Sequence, residues 1–209
     1  MGTGKLAGQR MHKVIKLSPD KGSFCFCRAC NSTCKIAKVQ KLAYVAMLQT
    51  SITWHQYPIS LLTFHVGPPI FDGPWDRNGH CNTNKIAYAT ALIDQLPAPF
   101  VLLANTNVDP FDGEGNNEVM SQFLAHPKLQ YPKPASPGGR AAANSRHRST
   151  AQLDTVDWPD SPPGNLQVNY ILPFRGFALH DGEVHWPAEG LPDPHGNSYR
   201  LIWQDVSLP

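Results

Sequence analysis

No stretch of this sequence approaches the roughly 20 consecutive apolar residues that a membrane-spanning helix needs. No apolar run follows the first basic residues either, so a secretory signal is not expected and a cytoplasmic location is the default expectation. Acid is nearly missing from the first 41 residues, where Lys5, Arg10, Lys13, Lys16, Lys21, Arg28, Lys35, Lys38 and Lys41 face Asp20 alone. The rest of the chain reverses that balance and is net acidic. Before residue 41 no apolar pattern repeats with the period of a strand or a helix. Residues 1–40 are therefore expected to be a disordered basic arm, and residues 41–209 the folded domain. Such an arm suits nucleic acid or an anionic membrane surface, if it has a partner at all.

Cysteine is scarce outside that arm: only Cys81 lies beyond it. Cys25, Cys27, Cys30 and Cys34 crowd into "CFCRACNSTC". Structural zinc sites usually take two ligand pairs from separate turns, about a dozen or more residues apart. Four thiols this close fit that scheme poorly, and incidental or oxidisable thiols are the plainer reading.

What is present points to one mixed domain. The chain has 209 residues, 41% of them hydrophobic, which allows one sizeable core. Its 20 prolines and 16 glycines demand many loops. "ISLLTF", 59–64, reads as a buried strand that ends at His65. A turn-rich loop, "GPPIFDGPWDRNG", occupies 67–79. Asn82 or Thr83 is placed to cap a helix whose apolar positions are Ile86, Ala89, Ile93 and Leu96, with Pro97 ending it. A strand over 100–104 follows, then a short helix around Val119, Met120, Phe123 and Leu124. Residues 127–165 read as a long proline-rich loop; "LQVNYILPF", 166–174, and "YRLIWQDV", 199–206, read as late strands. Trp54, Trp158, Trp186 and Trp203 suit core or rim anchors, and His180, His185 and His195 suit surface roles.

The segment "LLANTNVDPFDGEG", 102–115, poses the chemical question. A strand emptying into Asn105, Asn107, Asp109, Asp112 and Glu114 has the look of a cation or phosphate site, yet the residues at its mouth are neutral amides. In order along the chain, "FHVGPPIFDGPWDRNG", "LLANTNVDPFDGEG", "PASPGG", "LQVNYILP" and "NSYRLIWQD" resemble the endonuclease/exonuclease/phosphatase superfamily over about residues 41–209. That resemblance implies a deoxyribonuclease-I-like α/β fold: two β-sheets in a sandwich flanked by helices, four layers, here incomplete at the N-terminus. It also implies a phosphate ester or nucleic acid as ancestral substrate and Mg²⁺ as the cofactor of active members.

Carried over position by position, the resemblance implies loss. His65 matches a catalytic His, and Asn107 a phosphate-contacting Asn. Asn105 stands where the family has an Asp, and Asn169 where a Val-Asp-Tyr strand has its Asp. Ser198 and Tyr199 align with the Asp-His pair that activates water; Asn82-Thr83-Asn84-Lys85 replaces Asn-His-Asp-Glu. The upstream metal-binding Glu has no counterpart. Mg²⁺ wants anionic oxygen, so a neutral amide is a poor sole ligand. Losing the water-activating His alone costs about 10²–10⁴ in rate. The expectation is a non-catalytic relative that needs no cofactor. The alternatives are a weak Mg-dependent hydrolase, whose cation sits in the loop on Asp109, Asp112 and Glu114, and a protein that binds through its basic arm. A half-built sandwich would also expose a sheet edge for a partner to cover.

Overall fold

The structure, a computed structural model, describes residues 47–160, 162–188 and 198–208. The basic arm, its four cysteines and His195 lie outside these residues.

A four-stranded sheet carries the core. Strands β1 (Leu48–Trp54) and β2 (Tyr57–His65) form an antiparallel hairpin; β3 (Phe100–Asn105) adds parallel to β2, and β4 (Asn169–Pro173) adds antiparallel to β3. The spatial order follows the chain, β1-β2-β3-β4. The parallel step from β2 to β3 requires a crossover, which helix α1 (Arg77–Ile93) supplies. Helix α2 (Asn117–Leu124) follows β3, with Asn116 accepting a hydrogen bond from Val119 N–H as its cap.

Alternation along the strands divides the sheet into two unlike faces. Leu62 and Phe64 of β2, Phe100, Leu102 and Ala104 of β3 and Leu172 of β4 point to one face, where they pack against Ile86, Ala89 and Ile93 of α1 and Met120 and Phe123 of α2. The residues between them (Leu61, Val101, Leu103, Ile171) point the other way and stay partly exposed. A second, two-stranded sheet of β5 (Ala178–His185) and β6 (Leu201–Ser207) reaches the first through contact of β6 with β4.

Both strands of the late pair depart from the sequence reading. β5, "ALHDGEVH", carries Asp, Gly, Glu and two His, poor strand formers that pairing with β6 makes a strand despite a register break between Leu179 and Gly182. Tyr199 lies before β6 and bridges instead to Val156. Helix α1 starts five residues before Asn82, because the carboxylate of Asp72 accepts Asn78 N–H and Ile70 O accepts Asn78 Nδ2. The long loop is more ordered than expected. "PASPGG" forms a short helix, α3 (Pro137–Ala141), capped by Ser136 Oγ accepting Gly139 N–H. Gly138 is required there, since any Cβ would collide with the Trp186 ring and Pro187 O.

Trp186 is buried and Trp158 half-buried, as anchors should be, whereas Trp54 is 61% exposed at the hairpin end. The hairpin turns on His55 and Gln56, with φ of +46° and +72°. Two consecutive left-handed residues match the twist of a two-residue hairpin turn, but neither side chain suits that region. Replacing the pair with Asn-Gly (His55→Asn with Gln56→Gly) is expected to raise stability by about 1 kcal/mol, read as a higher urea midpoint at unchanged slope. An equal or lower midpoint would contradict the turn assignment.

Candidate functional site

The carboxyl ends of β2 and β3 and the start of β4 lie side by side, and the register sets three polar residues in one row. His65 pairs with Asn105, and Asn105 pairs with Asn169. All three project from the less covered face of the sheet, in phase with Leu61, Leu103 and Ile171. Positions 104 residues apart in the chain thus share one edge.

Asn107 completes the group. Its backbone is left-handed (φ +53°), which Asn tolerates better than most residues, and its N–H donates to Asn105 Oδ1 at 3.2 Å. Its Nδ2 donates to Val66 O at 2.6 Å and faces His65 Nε2 at 3.1 Å. An amide has no lone pair to offer at that nitrogen, so His65 Nε2 accepts and its proton sits on Nδ1. Asn82, buried beneath the same turn, donates Nδ2 to Gly67 O at 2.8 Å and to Thr106 O at 2.9 Å. It therefore ties the strand ends together and sits behind the mouth.

The backbone at Ser198 and Tyr199 is linked to the start of β4 through the 154–157 segment. Thr155 Oγ1 accepts the N–H groups of Val168 and Asn169 at 2.9 and 3.0 Å. On the other side of that segment Asp157 N–H donates to Ser198 O, Arg200 N–H donates to Thr155 O, and Val156 bridges Tyr199. Tyr199 stands edge-on to Trp158, with ring centroids 6.1 Å apart. Arg200 pairs with Asp157 at 2.5 Å and stacks over Trp186.

The acidic loop is built differently from a cation cradle. Asp109 is 1% exposed; its Oδ1 accepts Phe111 N–H at 2.7 Å and Asp112 N–H at 2.9 Å, and its Oδ2 accepts Gln167 N–H at 2.9 Å. Burial raises its pKa, and the three backbone donors oppose that rise. Asp112 accepts the N–H groups of Arg148 and Ser149 and the Arg148 side chain. Burial works against its ionisation too, but these donors outweigh it and hold the carboxyl below its ordinary value. Both carboxylates fasten loops to each other. Glu114 is exposed. Among the described residues no three His, Cys, Asp or Glu side chains come together as a metal would require. The donors at the mouth are one imidazole and three amides, which do not fit Mg²⁺.

Two further groups escaped the sequence reading. Tyr170 is buried, and its hydroxyl donates to Gln167 O at 2.6 Å, with Val108 O at 3.2 Å, locking the acidic loop to β4. His147 and Asp154 form a buried pair, Nε2 to Oδ2 at 2.9 Å. His147 Nδ1 accepts Asn144 N–H at 3.0 Å, so the ring donates to Asp154 from Nε2. Asp154 Oδ1 is buried with no hydrogen-bond partner among the described residues. An isolated His and Asp seven residues apart in a proline-rich loop give no periodic signal of this pairing. A cavity of about 230 Å³ lies alongside, lined by residues that include Arg146, His147, Arg148 and Asn165. Cys81 is half-buried on α1.

No protein-family model and no curated protein sequence matches the chain. Solved structures do match. An endonuclease/exonuclease/phosphatase from Beutenbergia cavernae superposes with a TM-score of 0.53 at 17% identity, covering 78% of this chain and 39% of that one. An endonuclease/exonuclease/phosphatase from Bacteroides vulgatus superposes with a TM-score of 0.51 at 11% identity, covering 80% of this chain and 57% of that one. The chain has the endonuclease/exonuclease/phosphatase fold. It spans between about two fifths and three fifths of the length of these two structures.

Two outcomes test the roles assigned to the carboxylates. Asp109→Ala strands three backbone N–H groups in the interior and is expected to cost about 3 kcal/mol or more, seen in urea unfolding. If Asp109 held a cation instead, millimolar Mg²⁺ would raise the melting temperature of the unaltered chain, and we expect no change. For Asp154, burial is the leading cause that pushes its pKa from 3.8 up to about 7, against the opposing pull of His147 and with Asp109 and Asp112 adding to the rise. Between those two values the folded state holds the proton that the unfolded state has released, so this group's contribution to stability falls as pH rises through the window. Melting temperature followed from pH 4 to 7 should therefore slope less steeply downward, or more upward, in Asp154→Asn than in the unaltered chain, which carries the extra downward contribution; identical slopes would contradict it.

Proposed function

We propose that this chain is a phosphate-ester recognition domain of the endonuclease/exonuclease/phosphatase type that does not hydrolyse what it binds. The observation that carries this reading is the row His65, Asn105, Asn169, with Asn107 on His65. His65, Asn105 and Asn169 lie at the end of the sheet, where active members of the family hold a phosphate; Asn107, whose Nδ2 is spent on Val66 O and His65 Nε2, holds His65 with Nδ1–H as its donor. Neutral donors recognise phosphate oxygen without a metal, as hydrogen-bond partners of the anion. Hydrolysis asks for more: a dication to draw charge from the transition state and a base to activate water. Asn105 and Asn169 keep the shape of carboxylates but have no charge to hold the dication. Tyr199 has no basic nitrogen at neutral pH. The fold's cofactor would be Mg²⁺, and in this reading the chain works without one.

The experiment pairs binding with turnover. The unaltered chain is expected to bind inorganic phosphate and an aryl phosphate in calorimetry, and to leave an activated phosphodiester uncleaved with Mg²⁺ or Mn²⁺. His65→Ala should weaken binding by about fivefold to tenfold, the loss of one hydrogen bond to an anion, and Asn107→Gly should weaken it by releasing His65 from the contact that orients it. Asn107→Gly retains the left-handed backbone. The combined change Asn105→Asp, Asn169→Asp, Ser198→Asp and Tyr199→His is expected to recover at best feeble metal-dependent cleavage. Brisk turnover by the unaltered chain would overturn the reading, as would phosphate affinity indifferent to both His65 and Asn107.

A further inference from the structure

Phe71, Trp75 and Phe111 are 88%, 76% and 58% exposed. All three stand on the loops that leave the carboxyl ends of the parallel strands β2 and β3, over residues 67–79 and 108–115. Single apolar residues scattered over a surface need no explanation. Three rings on the two loops that border the row of His65, Asn105 and Asn169 do. The loops also touch each other. A Cβ at Gly115 would come within 3.2 Å of Pro69 Cγ, and Asn82 Nδ2 bonds both Gly67 O in the first loop and Thr106 O just before the second.

Each ring directly precedes an aspartate, and that aspartate turns inward. The Asp72 carboxylate accepts Asn78 N–H. The Asp76 carboxylate lies against the first turn of α1, where any Cβ on Gly79 would strike it. Asp112 accepts Arg148 and Ser149 N–H, and Phe111 N–H is itself held by Asp109 Oδ1 at 2.7 Å. The rings thus stand in solvent on pinned backbone. Phe111 lies four residues beyond Asn107, so the chain keeps its Cα within about 14 Å of the Asn107 Cα. Among the described residues none of the three is in ring contact with another aromatic side chain. Phe71 also has a φ of +71°, a region that bulky side chains enter at a cost. Its exposed ring recovers none of that cost by packing, and unrepaid backbone strain concentrates at ligand sites.

We infer that Phe71, Trp75 and Phe111 form an aromatic rim that makes the site select phosphate esters of planar ring compounds, aryl or nucleobase, over aliphatic esters. The inference rests on the phosphate-ester reading of the row and adds the group on the other side of the ester. A ring face attracts a planar π-system by stacking, and an aliphatic alcohol offers no such face. Charge limits the occupant to one with few phosphates. On residues 67–79 and 108–115, Asp72, Asp76, Asp109, Asp112 and Glu114 face Arg77 alone. That excess of acid repels a polyanionic strand or an anionic bilayer. A single phosphate meets the neutral donors of the row instead.

The test is calorimetry on the full chain with inorganic phosphate, glycerol phosphate, phenyl phosphate and adenosine monophosphate. The two ring esters are expected to bind about tenfold more tightly than glycerol phosphate. Trp75→Ala and Phe71→Gly should each cut that ratio by about threefold or more. Glycine suits the left-handed backbone at 71, so the melting temperature of Phe71→Gly should hold or rise, where a packing role for the ring would lower it. Glycerol phosphate bound as tightly as phenyl phosphate, or a preference untouched in both variants, overturns the rim and leaves the phosphate reading standing. Binding of none of the four, inorganic phosphate included, overturns both. A short single-stranded oligonucleotide bound more tightly than the mononucleotide would assign the rings to nucleic acid and overturn the inference. Trp75-dependent binding to phosphatidylcholine vesicles without any preference among the esters would assign them to a membrane and overturn it as well.

Discussion

The carboxylate of Asp109 holds three backbone N–H groups at once, and the arrangement of the site depends on that grip. Two of the donors, Phe111 and Asp112, turn the loop after β3 back on itself; the third, Gln167, belongs to the segment that leads into β4. Asn105 lies four residues before Asp109 and Asn169 two residues after Gln167, so this single side chain sets the approach of both. Tyr170 repeats the connection one layer down, with its hydroxyl shared between the two segments. A buried carboxylate without such partners would shift to its neutral form, whereas three charge-assisted hydrogen bonds make the anion tolerable. The loop's acidity is thus structural in origin. Asp109 places the amides of the site, and Asp112 fastens the loop to Arg148 and Ser149.

That division of labour explains how the mouth can lose charge while the scaffold keeps its shape. An Asp-to-Asn exchange preserves volume and one acceptor oxygen, so Asn105 Oδ1 still receives the N–H of Asn107. The left-handed turn at Asn107 and its contact with His65 follow from the same bond. Clustered carboxylates repel one another when no cation sits between them, and neutral amides remove that repulsion. In the proposed reading, neutral amides keep these hydrogen bonds and lack the anionic oxygen that Mg²⁺ wants. Hydrogen bonds set the shape of the mouth, and its charge is a separate matter.

The parts legible in the sequence are those in which one physical signal dominates. Burial on the helix-covered face requires Leu62, Phe64, Phe100, Leu102 and Ala104 within the apolar runs of β2 and β3, and the Ile86-Ala89-Ile93 spacing marks the face of α1 that covers them. The sequence sets His65 and Asn105 at strand ends but Asn169 inside a strand read as 166–174; β4 begins at Asn169, and only the register shows that the three form one row. Elements held by partners were harder to see. β5 is a strand because β6 pairs with it, despite acids, glycine and histidine that disfavour one. The start of α1 depends on a carboxylate six residues from the N–H it receives, and no local pattern expresses that. β1 alternates over its whole length, but its serine and threonines weaken the contrast that would announce a strand. The His147–Asp154 pair arises from a loop folding on itself, where spacing carries no information.

The two faces of the sheet finally account for the position of the site. On one face α1 and α2 bury a complete apolar layer, which supplies most of the hydrophobic stabilisation. The other face bears residues of middling exposure, and the two-stranded sheet meets it through β6 and β4. Polar groups at the end of a fully covered face would be desolvated and forced into internal hydrogen bonds, as Asn82 and Thr106 are. His65, Asn105 and Asn169 project from the open face and escape that requirement. The incomplete cover that leaves Leu48, Ile52 and Trp54 exposed is therefore the same feature that leaves the site's donors accessible. The polar row crosses the strand ends of β2, β3 and β4, and the apolar strip of Leu48, Ile52 and Trp54 runs along β1, so one face of the sheet carries two chemically unlike regions.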